Sequence, residues 1–343
     1  MPLFKTNCFL FILLAIATLI SHVRFEQYVQ IGPELQTADW KFRTTESSRV
    51  EVTENGLSLF SSDAKTGASA LQQLSIVKPG TVLLVSADMR CANVIAGIKP
   101  WNSARLLLAQ NDGKKDRWDL PHTAVALTGT HDWKNYRKAF TIAPGIQNIQ
   151  LTVQLSQSTG SLQIKNMRVY PVYENPDYKW VRDIILLAWG GYFLLFTGSF
   201  LFMDQKNIFA RFLLVSAFIA IIAGTTLPGD MKNQVSSEVK VQIDADSESF
   251  KTIIPWDLSK VWHLGFFFLL GLILSIMMRR KPVLQTVTII LLLAGGTEIV
   301  QLYIEGRTAL LSDFFIDAAG GVTGMILIRA FVSNQHENTA TAK

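Results

Sequence analysis

The chain has 343 residues, 49% of them apolar and 17% charged, with 22 Gly, 11 Pro, only 2 Cys and a net charge of +5. These proportions exclude a disordered or collagen-like chain and a small disulfide scaffold. The apolar residues cluster in long blocks instead of recurring at core periodicity, so a membrane protein with a water-soluble insert fits better than one soluble globule. The basic excess does not point to nucleic acid. Its densest group, Arg279-Arg280-Lys281, directly follows an apolar run, where cytoplasmic anchoring is the ordinary cause.

Residues 8–20 come after Lys5 and form an apolar run, short for a spanning helix and ordinary for a signal-peptide core; either one exports the residues C-terminal to it. The run ends without two small residues at cleavage spacing, so residues 1–23 are expected to be an uncleaved anchor. From 24 to 177 the pattern changes to short alternating runs punctuated by turn residues, the signal for strands. Arg49–Val52 and Leu57–Phe60 flank Asn55-Gly56, a hairpin signal, and Arg105–Ala109 stops at the turn Asn111-Asp112-Gly113. Further runs are Thr81–Met89, Thr123–Leu127, Trp133–Ile142, Asn148–Leu155 and Ser161–Val172. Some eight strands predict a β-sandwich of two antiparallel sheets. Cys8 opens the first apolar run and Cys91 is alone in this block, so the sandwich must stand on its own core without a bridge.

Five apolar segments come next, near 182–203, 208–228, 258–278, 283–303 and 312–332, each long enough at about 1.5 Å per residue to cross a core of about 30 Å. The expected organisation is a membrane anchor or signal segment (1–23), an extracytoplasmic sandwich (24–177), a linking transmembrane helix (178–207), a four-helix membrane module (208–332) and a cytoplasmic tail (333–343). Lys206, Arg211, Arg279–Lys281 and Arg329 all fall inside if Lys5 is inside. Both termini are then cytoplasmic, in a multi-pass protein of the cytoplasmic (inner) membrane, and the acidic loop 229–257 lies outside.

With that orientation the polar residues of the helices fall at one depth. Lys260 and His263 share a face at the outer end of one helix, and Glu298 and Gln301 share a face near the outer end of the next. Arg307 sits in the turn after it, and Asp313 and Asp317 share a face at the outer start of the last helix. An ionisable side chain facing lipid costs about 2.5–3.5 kcal/mol at mid-depth, so these groups are expected to converge on a cavity or on each other. A register-fixing network, interfacial anchoring by Lys260 and Arg307, and simple capping by Asp313 are the structural readings of the same residues. Gly320 and Gly324 lie on the Asp313–Asp317 stripe and permit close helix approach.

Three segments, Asp257–Gly271, Gly296–Arg307 and Ser312–Gly324, resemble the VanZ-like family. Its pattern is a Lys-x-x-His opening one helix, Glu-x-x-Gln closing the next, a Gly-Arg turn and an Asp-x-x-x-(Asn or Asp)-x-x-Gly helix; Thr226-Leu227-Pro228 resembles the start of the module. Asp317 stands where Asn is common in the family. The resemblance implies a role at the cell envelope without fixing a reaction. In the β-block, Gly129-Thr130-His131-Asp132-Trp133 and the strands after it resemble the closing strands of carbohydrate-binding-module jelly rolls. The expected fold is therefore a membrane α-helical bundle of about six transmembrane helices with an inserted, jelly-roll-like all-β sandwich.

Trp101 and Trp118, in polar loops, are candidate sugar platforms, with Arg117, Asp119 and His122 as hydrogen-bonding partners; Trp133 is expected in the core. Three functions fit. The first is a binding protein whose sandwich takes an envelope glycan and whose helices hold a lipid-linked or lipopeptide ligand at the outer leaflet through Lys260, His263, Glu298, Gln301, Arg307, Asp313 and Asp317, in glycopeptide resistance or polysaccharide assembly. The second is a membrane hydrolase or transferase with His263, Glu298 and Asp313 as candidate catalytic residues, acting as acid and base or holding a divalent cation. The third is a scaffold for envelope-assembly proteins. No cofactor or resident metal is otherwise expected, and no Gly-x-Ser-x-Gly, His-Glu-x-x-His or Walker loop occurs.

Overall fold

The computed structural model describes residues 2–35, 39–99, 101–201, 208–226, 258–304, 307 and 309–341. The expected outer loop 229–257, with Lys206, Leu227-Pro228, Glu305 and Gly306, lies outside them. The chain divides into two compact units, Gln27–Asn175 and Met1–Glu26 together with Pro176–Lys343.

The second unit is helical: α1 (Pro2–Arg24), α2 (Pro176–Leu201), α3 (Ile208–Thr226), α4 (Leu258–Met277), α5 (Val283–Gln301) and α6 (Leu311–Thr341). Among the described residues, six helices are long and apolar enough to cross a membrane. Leu187, Leu194, Phe212, Leu284 and Phe331 point outward, as lipid-facing side chains do. The interior is aromatic-rich around Trp189, whose indole N–H donates to Thr18 Oγ1 of α1 at 2.9 Å. Helices α4 and α6 approach backbone to backbone. A Cβ on Gly320 would lie 2.6 Å from the Leu264 carbonyl oxygen, and one on Gly324 would strike the Phe268 carbonyl. Only glycine allows that approach.

Among the described residues the first unit is an all-β sandwich of eleven strands, three more than the sequence suggests. They are β1 (Tyr28–Gln30), β2 (Lys41–Arg43), β3 (Ser48–Thr53), β4 (Gly56–Ser61), β5 (Gly67–Leu74), β6 (Val82–Ile95), β7 (Ala104–Asn111), β8 (Thr123–Leu127), β9 (Gly129–Thr141), β10 (Asn148–Ser156) and β11 (Thr159–Glu174). One sheet has the order β3-β4-β11-β6-β9 with β1 also on β11; the other has the order β2-β5-β10-β7-β8. All pairings are antiparallel.

Alternate residues of the two sheets form one core: Leu57 and Leu59, Ala68 and Ala70, Leu106 and Leu108, Leu151 and Val153, Leu162 and Ile164. The expected hairpin forms with Glu54-Asn55 as its turn, and Gly56 already opens β4. There a Cβ would run into the Ile164 carbonyl of β11, which is why glycine is needed.

Candidate functional site

In the helical unit the polar residues of α4, α5 and α6 meet. His263 Nδ1–H donates to Asp317 Oδ1 at 3.1 Å and lies 3.3 Å from Oδ2. Asp317 is 0% exposed, so this contact is made entirely inside the bundle. The Gly320–Leu264 contact, at the residue after His263 on α4 and one turn beyond Asp317 on α6, brings the pair together. Glu298 is buried on α5; its Oε2 accepts the Leu310 backbone N–H at 3.0 Å and its Oε1 faces Gln301 Nε2 at 3.4 Å. It thereby satisfies an end of α6 that otherwise lacks a partner. Ligand atoms of His263, Glu298 and Asp317 all lie within 4.8 Å of one another, a donor set of one imidazole and two carboxylates that suits a divalent cation.

The remaining expected residues ring this cluster without joining it. Arg307 Nη2 donates to the Gly224 carbonyl of α3 at 2.8 Å and lies in the field of Glu298 and Asp313. Asp313 Oδ1 accepts from the Ser312 hydroxyl at 3.2 Å. Lys260 is half-buried in the first turn of α4 and no bond joins it to the cluster among the described residues.

The sandwich has its own polar face. Strand register aligns Arg43 with Ser69, Ser69 with Gln154, Gln154 with Arg105 and Arg105 with Ala126 across the five-stranded sheet. The neighbouring row, Phe42, Ala70, Val153, Leu106 and Val125, packs toward the core except at its edge residue Phe42, so the Arg43–Arg105 row lies on the opposite face. Arg105 Nη2 donates to Thr123 Oγ1 at 2.7 Å and its Nη1 to the Trp101 carbonyl at 3.4 Å. Trp101 and Trp118 are 52% and 55% exposed, with Lys99 Nζ above the Trp101 ring and His122 edge-on to Trp118 at 5.1 Å.

Arg117 pairs with Asp119 through Nε at 2.8 Å and Nη2 at 2.7 Å, and the Arg117 hydrogen bond holds the Asp119 carboxyl down at about 2. His122 Nδ1–H donates to the Leu120 carbonyl.

Trp133 corrects the sequence reading. It is not in the core but on the outer face of the six-stranded sheet, with Lys165 Nζ at 4.3 Å and Arg90 Cζ at 5.0 Å over its ring. Strand β9 is an edge strand, and its aromatic is covered by cations from β6 and β11. Beside it Asp88 accepts from Asn135 at 2.8 Å and from Asn166 at 2.7 Å, and both bonds hold its carboxyl below the usual range.

The segment that holds the cluster decides the family comparison. Residues 184–332 carry a VanZ-like module. They match the VanZ/LLP1 family model, and residues 17–159 match that of a carbohydrate binding domain. No curated protein matches the chain. Among solved structures it is similar to a tailspike protein of bacteriophage CBA120 (11% identity, 38% of this chain and 19% of that chain, TM-score 0.31). It is also similar to a xylan-binding domain from Paenibacillus barcinonensis (16%, 43% and 99%, TM-score 0.30) and to the N-terminal cellulose-binding domain of a Cellulomonas fimi glucanase (14%, 40% and 90%, TM-score 0.29). The chain thus spans about a fifth of the tailspike's length, and likenesses this slight bear on neither ligand nor activity.

The protein is a multi-pass membrane protein with a VanZ-like module and a sandwich of the carbohydrate-binding type. Within the VanZ-like module, Leu310 is a cluster member that side-chain chemistry does not reveal, because it contributes only a backbone N–H. In the sandwich, sequence reasoning misses Arg105, Arg43, Gln154 and Thr123. The available signal is a lone charge at the head of the run Arg105-Leu106-Leu107-Leu108.

Proposed function

We propose that this is a membrane-anchored glycan-binding protein of the cell envelope: the sandwich takes a glycan on the outer face of the β2-β5-β10-β7-β8 sheet, and the VanZ-like module receives the lipid-linked end of the same class of molecule at the His263–Glu298–Asp317 cluster. The observation that carries this reading is the aligned polar row Arg43, Ser69, Gln154 and Arg105, with Arg105 bonded to the backbone carbonyl of Trp101, whose indole is exposed. Flat apolar rings with flanking hydrogen-bond donors and acceptors suit the two-sided chemistry of a sugar. In this reading the sandwich is extracytoplasmic and both termini are cytoplasmic.

Full-length protein in nanodiscs, screened against immobilised polysaccharides, tests it. Wild type is expected to retain at least one polymer, and Trp101→Ala to weaken binding about tenfold, equivalent to about 1.4 kcal/mol. Wild-type protein that retains none sinks the proposal. For the membrane half, native mass spectrometry of the purified protein is expected to find a co-purified lipid-linked species that Glu298→Gln and Arg307→Ala lose.

A second reading is favoured by the convergence of His263, Glu298 and Asp317: a membrane enzyme in which these groups transfer protons or hold a divalent cation against a phosphate. It requires turnover of that lipid-linked species, abolished by His263→Ala in protein that still folds. Binding without turnover leaves the first reading standing alone.

A further inference from the structure

Arg105 is 8% exposed, and no carboxylate pairs with it among the described residues. Its two bonds go to neutral oxygens, the Thr123 hydroxyl and the Trp101 carbonyl, and its Nε has no partner among the described residues. Burial alone moves it, lowering its pKa, with no acid nearby to raise it. Buried charges are ordinarily paired, because a desolvated ion without a counter-charge is unfavourable.

The rest of the sheet is equally one-sided. Its five strands carry Lys41, Arg43 and Arg105 and no Asp or Glu. The other sheet, by contrast, holds Glu51, Asp88, Asp132 and Glu174. The strands that carry the Arg105 guanidinium thus supply cations, amides and hydroxyls, but no negative charge.

We infer that the glycan taken by this face is acidic, a polymer whose sugars carry carboxylate or phosphate, and that Arg105 is the residue that binds the anionic group. The inference rests on the glycan-binding reading and names the substrate class for the same site. A planar fork of N–H donors matches a carboxylate or phosphate bidentately, which a lysine does not. The anion displaces the Trp101 carbonyl, the longer of the two bonds, and the Trp101 ring lies against the adjoining sugar. Gln154 and Ser69 take its hydroxyls, and Arg43, three strand spacings or about 14 Å along the row, meets a second anionic group.

The test uses the full-length protein in nanodiscs of neutral phosphatidylcholine and three probes: oligogalacturonate, a phosphomannan and neutral xylan, with affinity measured by calorimetry between low and high salt. One of the two anionic probes is expected to bind at least about tenfold more tightly than xylan, with affinity falling as salt rises. Which of them binds identifies carboxylate or phosphate as the group recognised. Arg105→Gln is expected to remove that preference, and Arg105→Lys, which keeps the charge and loses the fork, to restore it only in part. Xylan bound as tightly as the anionic probes, or anionic binding indifferent to both salt and Arg105→Gln, overturns the inference and leaves glycan binding intact. Failure of all three probes, with no polymer retained in the wider screen, overturns both. If Arg105→Gln does not fold, Arg43→Gln and the salt dependence of wild-type affinity decide the same question: a flat salt profile with an unchanged Arg43→Gln overturns it.

Discussion

The two polar sites of this protein differ in how their charges are met. In the cluster of the VanZ-like module His263 is answered by Asp317, Glu298 by the Leu310 N–H and Arg307 by the Gly224 carbonyl. In the sandwich, Arg105 is buried as deeply and is answered only by neutral oxygens. A network closed on itself fixes structure first and accepts a ligand by rearranging. A charge left open is held ready for one. Low-dielectric surroundings make the contrast sharp, since they strengthen a satisfied polar contact and penalise an unsatisfied one alike.

The largest effect that bears on this contrast is expected from Asp317→Ala, which removes the buried carboxylate that His263 faces and should destabilise the module by about 3–5 kcal/mol, read as a lower unfolding temperature in detergent. A double-mutant cycle with His263→Ala should recover much of that loss. Additive effects would deny that the pair is coupled.

Next is Gly324→Val, whose branched side chain meets the Phe268 carbonyl and should cost about 1–3 kcal/mol while separating α4 from α6. Arg105→Met is expected to behave in the opposite way to Asp317→Ala. Removing an unanswered charge should leave the sandwich within about 1 kcal/mol of wild type, or more stable, while acidic-glycan binding disappears. A sandwich unfolded by this change would erase the distinction between the two sites.

The smallest effect is the acid sensitivity of the sandwich surface. Asp119 is held at about 2 against an ordinary 3.8, so its contribution is present above 3.8 and is lost as the pH falls through that window toward 2. Asp119→Asn should flatten the melting curve there only slightly, because the pair is exposed.

Legibility in the sequence divides along the same line. Charges inside apolar runs stand out, so Lys260, His263, Glu298, Gln301, Arg307, Asp313 and Asp317 are all visible as candidates from the amino-acid pattern alone. The pairing of His263 with Asp317 rather than Asp313 is not, because it depends on the crossing set by Gly320 and Gly324.

In the sandwich, β5 is hard to read because Gly67-Ala68-Ser69-Ala70 has little β-propensity. It is a strand because β2 and β10 pair with it on either side and the core has room there only for Ala68 and Ala70. Strands β1 and β2, three residues each, are too short for alternation to register. Arg105 reads as the boundary of an apolar run, and only the register that aligns it with Gln154, Ser69 and Arg43 reveals a row. Trp133 resembles a core residue by its motif; its place on an edge strand cannot be read locally.

The glycine contacts between α4 and α6 have a mechanical consequence. Sliding one helix past the other by a turn requires small residues again one turn on, and beyond Gly324 the chain continues Met325-Ile326-Leu327-Ile328. The two helices therefore form a strut and not a piston, and the depth of the His263–Asp317 pair along them is fixed. Any change of shape that a ligand produces in this module must tilt the strut as one body against α3 and α5.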